Sequence, residues 1–411
     1  MTMSGPGGIR QLALRGPAQS AVPLQSSPIR TEKRQRFDAL DALRGISALL
    51  VCLFHFPASG WISQNPLVHS SWLFVDFFFL LSGFVLAHSY APRLMAGMSM
   101  AQFTLLRFMR LYPLHLFVLL LFVAVEIVGA LWLGRFMDRP AFSGSTSLSA
   151  LSLNLLLLHS FGLHNGLSWN APSWSIAAEF WVYLLFALVI LRFRHRLNLA
   201  ALALVIASVT FLFYANANGI NSTWRFGFVR CVYGFFLGVI GYSLWRRWGA
   251  PTDHLPPSWR SLAEIAGSIV TVALIILLAQ GRISLLLPLV FLGQILLFSG
   301  SGGLLTRALN TRLLLHLGAW SYGIYMVHAF IQARLMDVLN LLADIGGPQM
   351  LVEVGSKGRT MVGRTSLEGD LITIAMLILV IGFAAILYRH VELRGIQYGK
   401  FLVARMTGTT A

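Results

Sequence analysis

Ten long apolar runs constrain the fold of this chain more than any other feature of its sequence. They lie at approximately 41–58, 70–91, 111–133, 173–191, 198–215, 228–245, 262–279, 283–300, 313–335 and 370–388. A run of about 20 apolar residues is long enough to cross roughly 30 Å of hydrocarbon. Because backbone N–H and C=O groups find no water inside a bilayer, such runs must form helices there. The sequence therefore predicts an all-α polytopic membrane protein with about ten transmembrane helices, and the lipid bilayer is its first expected partner.

The composition agrees with a membrane protein and argues against nucleic-acid binding. Of the 411 residues, 56% are hydrophobic and only 11% are charged, which is more apolar than a soluble domain of this length requires. The net charge is +16, but the arginines occur in twos and threes between the apolar runs, as cytoplasmic loops do. No nucleic-acid partner is expected. The two cysteines lie in apolar runs, so neither a disulfide nor a metal site is predicted.

The distribution of Lys and Arg predicts the orientation in the membrane. With ten spans and the N-terminus inside, 22 of the 31 basic residues fall on the cytoplasmic side and 9 outside. Counting residues 148–161 as an eleventh span gives 17 inside and 14 outside. The ten-span arrangement separates the charge better, so both termini are predicted to be cytoplasmic. Residues 148–161 are then expected to be a re-entrant or interfacial helix on the outer side.

The positions of the apolar runs divide the chain into three predicted parts. Residues 1–36 are rich in Gly, Pro, Ser and basic residues, and they lack the apolar stretch of a signal peptide, so we expect a disordered basic cytoplasmic tail. Residues 37–394 form the predicted transmembrane domain. Residues 395–411 are expected to be a short cytoplasmic C-terminal tail.

The first apolar run carries two ionisable residues on one helical face. Arg44 and His55 are eleven residues apart, which is three helical turns plus about 20°. They form either the start of a functional polar stripe or a snorkelling Arg with a structurally satisfied His. Cys52 faces nearly the same way as His55. It is either a nucleophile partnered by the histidine or a small core residue.

The next two runs add one carboxylate and two guanidinium groups. Asp76 lies about one and a half turns below the predicted outer surface, where it is either a helix cap or the partner of an imidazolium. Arg107 and Arg110 share a face at i, i+3 at the predicted inner surface. They suit a phosphate group, although basic pairs also flank many spans for topological reasons.

The fourth and ninth runs carry the remaining candidates. Ser175 and Glu179 stand at i, i+4, and Glu179 is either an acid, base or histidine orienter, or a structural hydrogen-bond partner. Tyr325 and His328 stand at i, i+3 well inside the ninth run.

Four of these side chains are predicted to lie at a similar depth although they belong to four helices. They are His55, Asp76, Glu179 and His328. Structural polar residues have no reason to share one depth, so the sequence predicts a polar cavity within the helical bundle.

The segments that carry these residues resemble, in order, the signatures of the acyltransferase-3 membrane proteins, which acylate extracytoplasmic glycans. RFDALDALRGISALLVCLFHF is similar to the family's opening signature and places Arg44 and His55 on its Arg-x10-His pair. FVDFFFLLSGFVLA is similar to its Asp-x-Phe-Phe segment and places Asp76, Ser82 and Gly83.

Three later segments continue the resemblance. They are Arg107-x-x-Arg110 followed by Tyr-Pro, SWSIAAEFWVYLL with Ser175 and Glu179, and SYGIYMVH with Tyr325 and His328. The chain departs from the family after the last run, where Glu392 is followed by Leu-Arg-Gly and the family often has Glu-Arg-Pro.

The resemblance implies an O-acyltransferase of the plasma membrane, in bacteria the inner membrane. It implies acyl-CoA, most often acetyl-CoA, as a donor substrate on the cytoplasmic side, with no permanently bound cofactor. The acceptor is expected to be a hydroxyl of an extracytoplasmic or lipid-linked glycan. Arg44, Arg107 and Arg110 are then expected to bind the phosphates of CoA.

The same resemblance implies roles for the remaining candidates. His55 either deprotonates the acceptor hydroxyl or carries the acyl group on its imidazole. Asp76 or Glu179 is expected to orient that ring, and His328, Tyr325 and Ser175 to hold the thioester or the acceptor. The alternative class is a flippase or transporter of a lipid-linked saccharide. It predicts inverted repeats and broken paired helices, and neither is clear in this sequence.

Overall fold

Long apolar helices make up most of the chain. The computed structural model describes residues 36–132, 140–300, 302–354 and 359–408. The expected tail at 1–36 therefore lies outside the described residues, apart from Arg36. Leucine, isoleucine, valine, alanine and phenylalanine fill the helices, and several glycines permit close approach between them.

The helices follow one another along the chain. In order, they are α1 Asp38–Phe54, α2 Pro66–His69, α3 Phe74–Met95, α4 Met100–Trp132, α5 Leu148–Leu155, α6 Trp174–Arg192, α7 Leu197–Ala215, α8 Gly227–Trp248, α9 Pro257–Leu278, α10 Leu287–Leu297, α11 Leu304–Leu309, α12 Arg312–Asp344, α13 Ser366–Leu387 and α14 Leu393–Thr407.

Eight helical segments within the described ranges are long and apolar enough to cross a membrane. Each coincides with one of the ten predicted runs. The other two runs, the first and the eighth, form the shorter helices α1, with 17 residues, and α10, with 11. The all-α, multi-pass architecture is therefore confirmed, whereas the number of ten crossings and the cytoplasmic position of the termini stay predictions.

Residues 148–161, the competing eleventh span, form only one short helix. α5 contains eight residues, about 12 Å of helix, and it ends before Leu157, which has a positive φ of 56°. A helix of that length cannot cross a bilayer. The segment is a short helix followed by a turn, which fits a segment that does not cross the membrane.

Burial divides the long helices into an inner and an outer group. α3, α6 and α8 are mostly buried within the bundle, whereas α7, α9 and α13 leave most of their apolar side chains uncovered. Leu277 on α9 is 74% exposed and Ile378 on α13 is 65% exposed. Apolar surface of this extent on outer helices fits contact with lipid tails.

α1 packs closely along α12, and a small residue makes this possible. A Cβ atom on Gly45 of α1 would stand 2.6 Å from the backbone nitrogen of Gly318 on α12. Close contact between glycine backbones is a common way for membrane helices to associate. This contact brings the two predicted histidine-bearing helices side by side.

α3 and α8 are joined by a buried ion pair. The Nε and Nη2 atoms of Arg230 donate to the two carboxylate oxygens of Asp76 at 2.8 and 2.7 Å, and both residues are at most 1% exposed. Further along α3, the backbone of Phe235 approaches Gly83 so closely that no side chain fits there. The paired charges and the glycine together set the register between these helices.

A small β-hairpin lies between α12 and α13. Strands β1 Leu351–Val354 and β2 Arg359–Val362 are antiparallel, with Leu351 opposite Val362. The backbone of Val362 also bonds to Pro57 and Ser59, at 2.8 and 2.9 Å. The hairpin therefore holds the chain directly after α1.

The region predicted as a C-terminal tail is largely helical. A π-helical turn, Tyr388–Glu392, connects α13 to α14, and α14 continues to Thr407. The π-turn directs the buried Glu392 side chain toward α4. Such turns in helices are frequent at functional sites.

We expect Arg230→Met to lower the free energy of unfolding by about 3–5 kcal/mol, because it leaves the Asp76 carboxylate buried without a counter-charge. Thermal unfolding in detergent micelles measures this. The double variant Asp76→Asn, Arg230→Met is expected to recover most of the loss, and Arg194→Met at an exposed position serves as the control. Fully additive losses in the double variant would contradict the pairing.

Candidate active site

A cavity of about 160 Å³ lies among α1, α3, α4, α6 and α12. Its walls combine apolar side chains with charged and hydroxyl groups. Six residues predicted from the sequence line it: Arg44, Arg107, Arg110, Ser175, Glu179 and Tyr325. These residues come from four helices, so tertiary packing gathers the candidate groups into one space.

Arg44 is held against α12. Its Nε donates to the hydroxyl of Ser321 at 2.9 Å, and its Nη2 donates to the carbonyl of Gly318 at 3.0 Å. Asp41, one turn earlier on α1, pairs with the same guanidinium at 3.1 Å. The close contact between Gly45 and Gly318 brings α12 near enough for these bonds, and they aim the arginine into the cavity wall.

The guanidinium of Arg107 is only partly hydrogen-bonded by the described residues. Its Nη2 donates to the hydroxyl of Tyr90 at 2.8 Å, and its guanidinium carbon lies 4.6 Å from the centre of the Tyr90 ring. Its buried Nε has no hydrogen-bond partner among the described residues. A buried donor without a partner is costly unless a ligand or water satisfies it. This makes Arg107 the most direct candidate for binding an anion.

Arg110 is already neutralised. It forms an ion pair with Glu392, whose side chain is buried at the end of the π-turn. The second carboxylate oxygen of Glu392 has no partner among the described residues. The pair fixes α14 to α4, so Arg110 supports the cavity with its charge compensated by the protein.

Glu179 projects into the cavity from α6. Its carboxylate accepts a hydrogen bond from the hydroxyl of Ser82 on α3. It shares the cavity with the three arginines. No described hydrogen bond joins it to His55, so the expected role of orienting that ring is not what the structure displays.

Ser175 and Tyr325 meet at the wall of the cavity. The Tyr325 hydroxyl donates to the Pro172 carbonyl at 2.9 Å and accepts from the Ser175 hydroxyl at 2.8 Å. Both residues are at least 95% buried. Tertiary contact between the start of α6 and α12, rather than spacing within either helix, places both hydroxyls in one small network.

The two predicted histidines form a pair outside the cavity lining. The rings of His55 and His328 have centroids 5.0 Å apart. His55 is exposed at the end of α1, whereas His328 is fully buried within α12. Their pairing follows from the close packing of α1 on α12.

Backbone carbonyls fix the proton position on both rings. Nδ1 of His55 lies 2.9 Å from the Val51 carbonyl oxygen, and Nδ1 of His328 lies 3.3 Å from that of Ile324. A carbonyl oxygen only accepts, so each neutral ring carries its proton on Nδ1 and presents a lone pair at Nε2. Nε2 of the buried His328 has no hydrogen-bond partner among the described residues. The pair therefore presents two unprotonated Nε2 nitrogens.

Asp76 is not brought to the histidines. Both of its oxygens bind Arg230, and the guanidinium carbon of Arg230 lies 5.2 and 5.5 Å from the ring centres of Trp72 and Trp174. The sequence suggested an imidazolium as the partner of Asp76. An arginine with a fixed charge and two parallel donors occupies that place instead, because it matches a carboxylate with two bonds.

The loop before α6 is firmly attached to α12. The side-chain amide of Asn170 donates to the Met326 carbonyl at 2.9 Å, and Ser173 bonds to Nε2 of His159 at 3.1 Å. Burial lowers the pKa of His159 to about 3, so this ring stays neutral at ordinary pH. The attachment holds the segment that binds the Tyr325 hydroxyl.

Cys52 belongs to the core. It is fully buried, its sulfur lies 3.7 Å from that of Met376, and its carbonyl accepts from Gln332 at 2.8 Å. A nucleophilic role next to His55 has no support from these contacts.

Sequence reasoning missed two charged residues of this region. Arg230 lies inside the sixth apolar run, and an arginine within a span is itself a sign of a buried partner. Glu392 stands where the family often has Glu-Arg-Pro, but the resemblance there draws attention to the missing proline rather than to the carboxylate. In both cases the partner lies far away in the sequence.

Comparisons with known proteins identify the family of this chain. Residues 37–389 match the acyltransferase-3 family, which is described as an acyltransferase domain. A stretch of 63 residues is 46% identical to "Protein 2 in picA locus" of Rhizobium radiobacter. That alignment covers 15% of this chain and 31% of the relative, so the chain matches less than a third of that protein's length. No solved structure matches the chain.

The family match begins just before α1, extends through the helices that carry the arginines, Glu179 and the histidine pair, and ends in the π-helical turn before α14. The protein therefore belongs to the acyltransferase-3 family.

Proposed function

We propose that the protein transfers an acyl group, acetyl in the simplest case, from acyl-CoA to a hydroxyl of an extracytoplasmic or lipid-linked glycan. One observation carries the proposal: the predicted arginines, Glu179, Ser175 and Tyr325 line one cavity, and the histidine pair lies directly behind Tyr325. Arg107 supplies an anion site, and the histidines supply a base.

The donor is proposed to enter from the arginine side. CoA carries a pyrophosphate and a 3′-phosphate, and guanidinium groups bind such oxygens with two parallel bonds. The buried Nε of Arg107 has no partner within the described ranges, and a phosphate oxygen would satisfy it. The excess of Lys and Arg on the predicted cytoplasmic side favours an entrance inside the cell, in the plasma membrane or, in a bacterium, the inner membrane.

The chemical step is a nucleophilic acyl transfer. The alcohol oxygen attacks the thioester carbonyl carbon, the C–O bond forms and the C–S bond breaks. The alcohol proton passes to Nε2 of His55 and from there to the departing sulfur, which leaves as the CoA thiol. In a two-step route Nε2 of His55 attacks the thioester carbonyl, so that a C–N bond forms as the C–S bond breaks and CoA leaves as the thiolate. The alcohol oxygen then attacks the acyl group, the C–N bond breaks, and the alcohol proton goes to the thiolate. The same lone pair serves either route.

The protein groups around His55 support this role without a carboxylate. The Val51 carbonyl accepts a hydrogen bond from Nδ1–H, so the neutral ring carries no proton on Nε2. His55 is exposed, so an alcohol from the aqueous side reaches the ring. His328 packs beside His55, and its Nε2, which has no partner among the described residues, can accept a hydrogen bond from the Nε2–H that forms when His55 takes the proton.

We expect His55→Ala to abolish acyl transfer, since it removes the base or the acyl carrier. Membranes are incubated with radiolabelled acetyl-CoA and candidate glycans, and both glycan-bound label and released CoA are measured. His195→Ala, at an exposed histidine, is the matched control and should behave as wild type. Substantial transfer by His55→Ala at equal expression would remove His55 from the centre of the mechanism. Glycan movement without release of CoA would instead favour a transporter.

Arg107→Ala is expected to weaken acyl-CoA binding by about tenfold to a hundredfold, the loss of one charge-assisted hydrogen bond. The rate at saturating donor should change less, because the arginine lies away from the reacting carbon. Donor titration of the purified protein in lipid nanodiscs measures both quantities. Arg196→Ala, a change at an exposed arginine, is the control. An unchanged donor affinity in Arg107→Ala would contradict a phosphate role.

A further inference from the structure

The arginine-lined cavity and the histidine pair are separate in the structure. Tyr325 and Phe78 line the cavity, whereas His55 and His328 do not belong to its lining. If acyl-CoA is bound by the arginines, as the proposed function requires, the thioester must pass some barrier before its carbonyl carbon reaches His55. The identity of that barrier follows from the ring contacts.

Four rings stand in a continuous row from the cavity to the exposed histidine. The Tyr325 ring packs edge-on against Phe78, with centroids 5.8 Å apart at 85°, and against His328, also at 5.8 Å, at 64°. His328 in turn contacts His55 at 5.0 Å. Tyr325 is the member of the row that touches both the cavity and the histidines.

Two hydrogen bonds hold the Tyr325 ring across this path. Its hydroxyl is fixed by the Pro172 carbonyl and the Ser175 hydroxyl, and the loop carrying Pro172 is tied to α12 through Asn170. Two such bonds favour one position of the ring. The net free energy of a hydrogen bond between neutral groups is small, so a bound substrate can displace it. The closed position is therefore well defined and can still open.

We propose that Tyr325 is a gate that separates the donor cavity from the histidine pair and limits the size of the acyl group that passes. This inference rests on the proposed acyltransferase function. A small acyl group passes beside the displaced ring, and each added methylene meets Phe78 and the ring edge. While closed, the ring also keeps water on the His55 side away from the bound thioester.

The test compares acetyl-CoA with butyryl-CoA as radiolabelled donors. Membrane vesicles from source cells lacking the chromosomal copy carry each variant, and their own glycans serve as acceptor. Tyr325→Ala is expected to raise the ratio of butyryl to acetyl transfer by at least about tenfold, the effect of one or more methylenes in an apolar site. It is also expected to raise acyl-CoA hydrolysis in detergent-purified protein without glycan.

Tyr322→Ala is the matched control. This tyrosine lies one turn earlier on α12 and lines the same cavity, but its hydroxyl bonds to the Leu111 carbonyl at 2.6 Å and its ring faces Arg110. Its removal enlarges the cavity away from the histidines, so the butyryl-to-acetyl ratio should stay at the wild-type value. Tyr325→Phe keeps the ring but loses both hydroxyl bonds, so it should raise hydrolysis and leave the ratio unchanged.

The possible results distinguish failure of the gate from failure of the proposed acyltransferase function. A wild-type ratio in active Tyr325→Ala, or an equal shift in Tyr322→Ala, overturns the gate while the acyltransferase proposal stands. If wild-type protein releases no CoA from either donor, the proposed function fails and the gate fails with it. If Tyr325→Ala does not fold, Tyr325→Leu decides the question, with an intermediate rise in the ratio expected and an unchanged ratio contradicting the gate.

Discussion

A charge inside an apolar helical bundle must be paired, and this requirement organises the molecule. Asp76 and Arg230 join α3 to α8, while Arg110 and Glu392 join α4 to the chain before α14. Each pair offsets a desolvation cost of several kcal/mol per ion, and each fixes the register of two helices. With these charges satisfied by the protein, the Nε of Arg107, which has no partner among the described residues, stands out as a donor that a ligand or water can satisfy.

Much of the site could be predicted from local spacing. Helical periodicity places Arg107 beside Arg110 and Tyr325 beside His328 in any helix, so these faces needed no tertiary information. The depth of a residue along its helix was a weaker predictor of which side chains it contacts. It correctly grouped His55 with His328, but position along an axis does not specify which neighbour a side chain faces. The sequence did not link Arg230 to Asp76, because α3 and α8 are adjacent only in the folded bundle.

The family match establishes the chain as an acyltransferase-3 protein, and the geometry is compatible with separate positions for the two proposed substrates. The arginines occupy the cavity and the exposed His55 lies beyond Tyr325, so the proposed donor and acceptor need not share an entrance. Close packing of α1 on α12 through Gly45 brings the two histidines together and also aims Arg44. One helix contact therefore supports both halves of the proposed reaction.

The most direct test is a structure of the protein in lipid nanodiscs with a non-hydrolysable acetyl-CoA analogue, determined by electron cryo-microscopy. We expect phosphate density within hydrogen-bond distance of Arg107, with the acyl end directed at Tyr325 and the histidine pair beyond it. Analogue density elsewhere on the protein, or a lipid tail filling the cavity at saturating analogue, would contradict it.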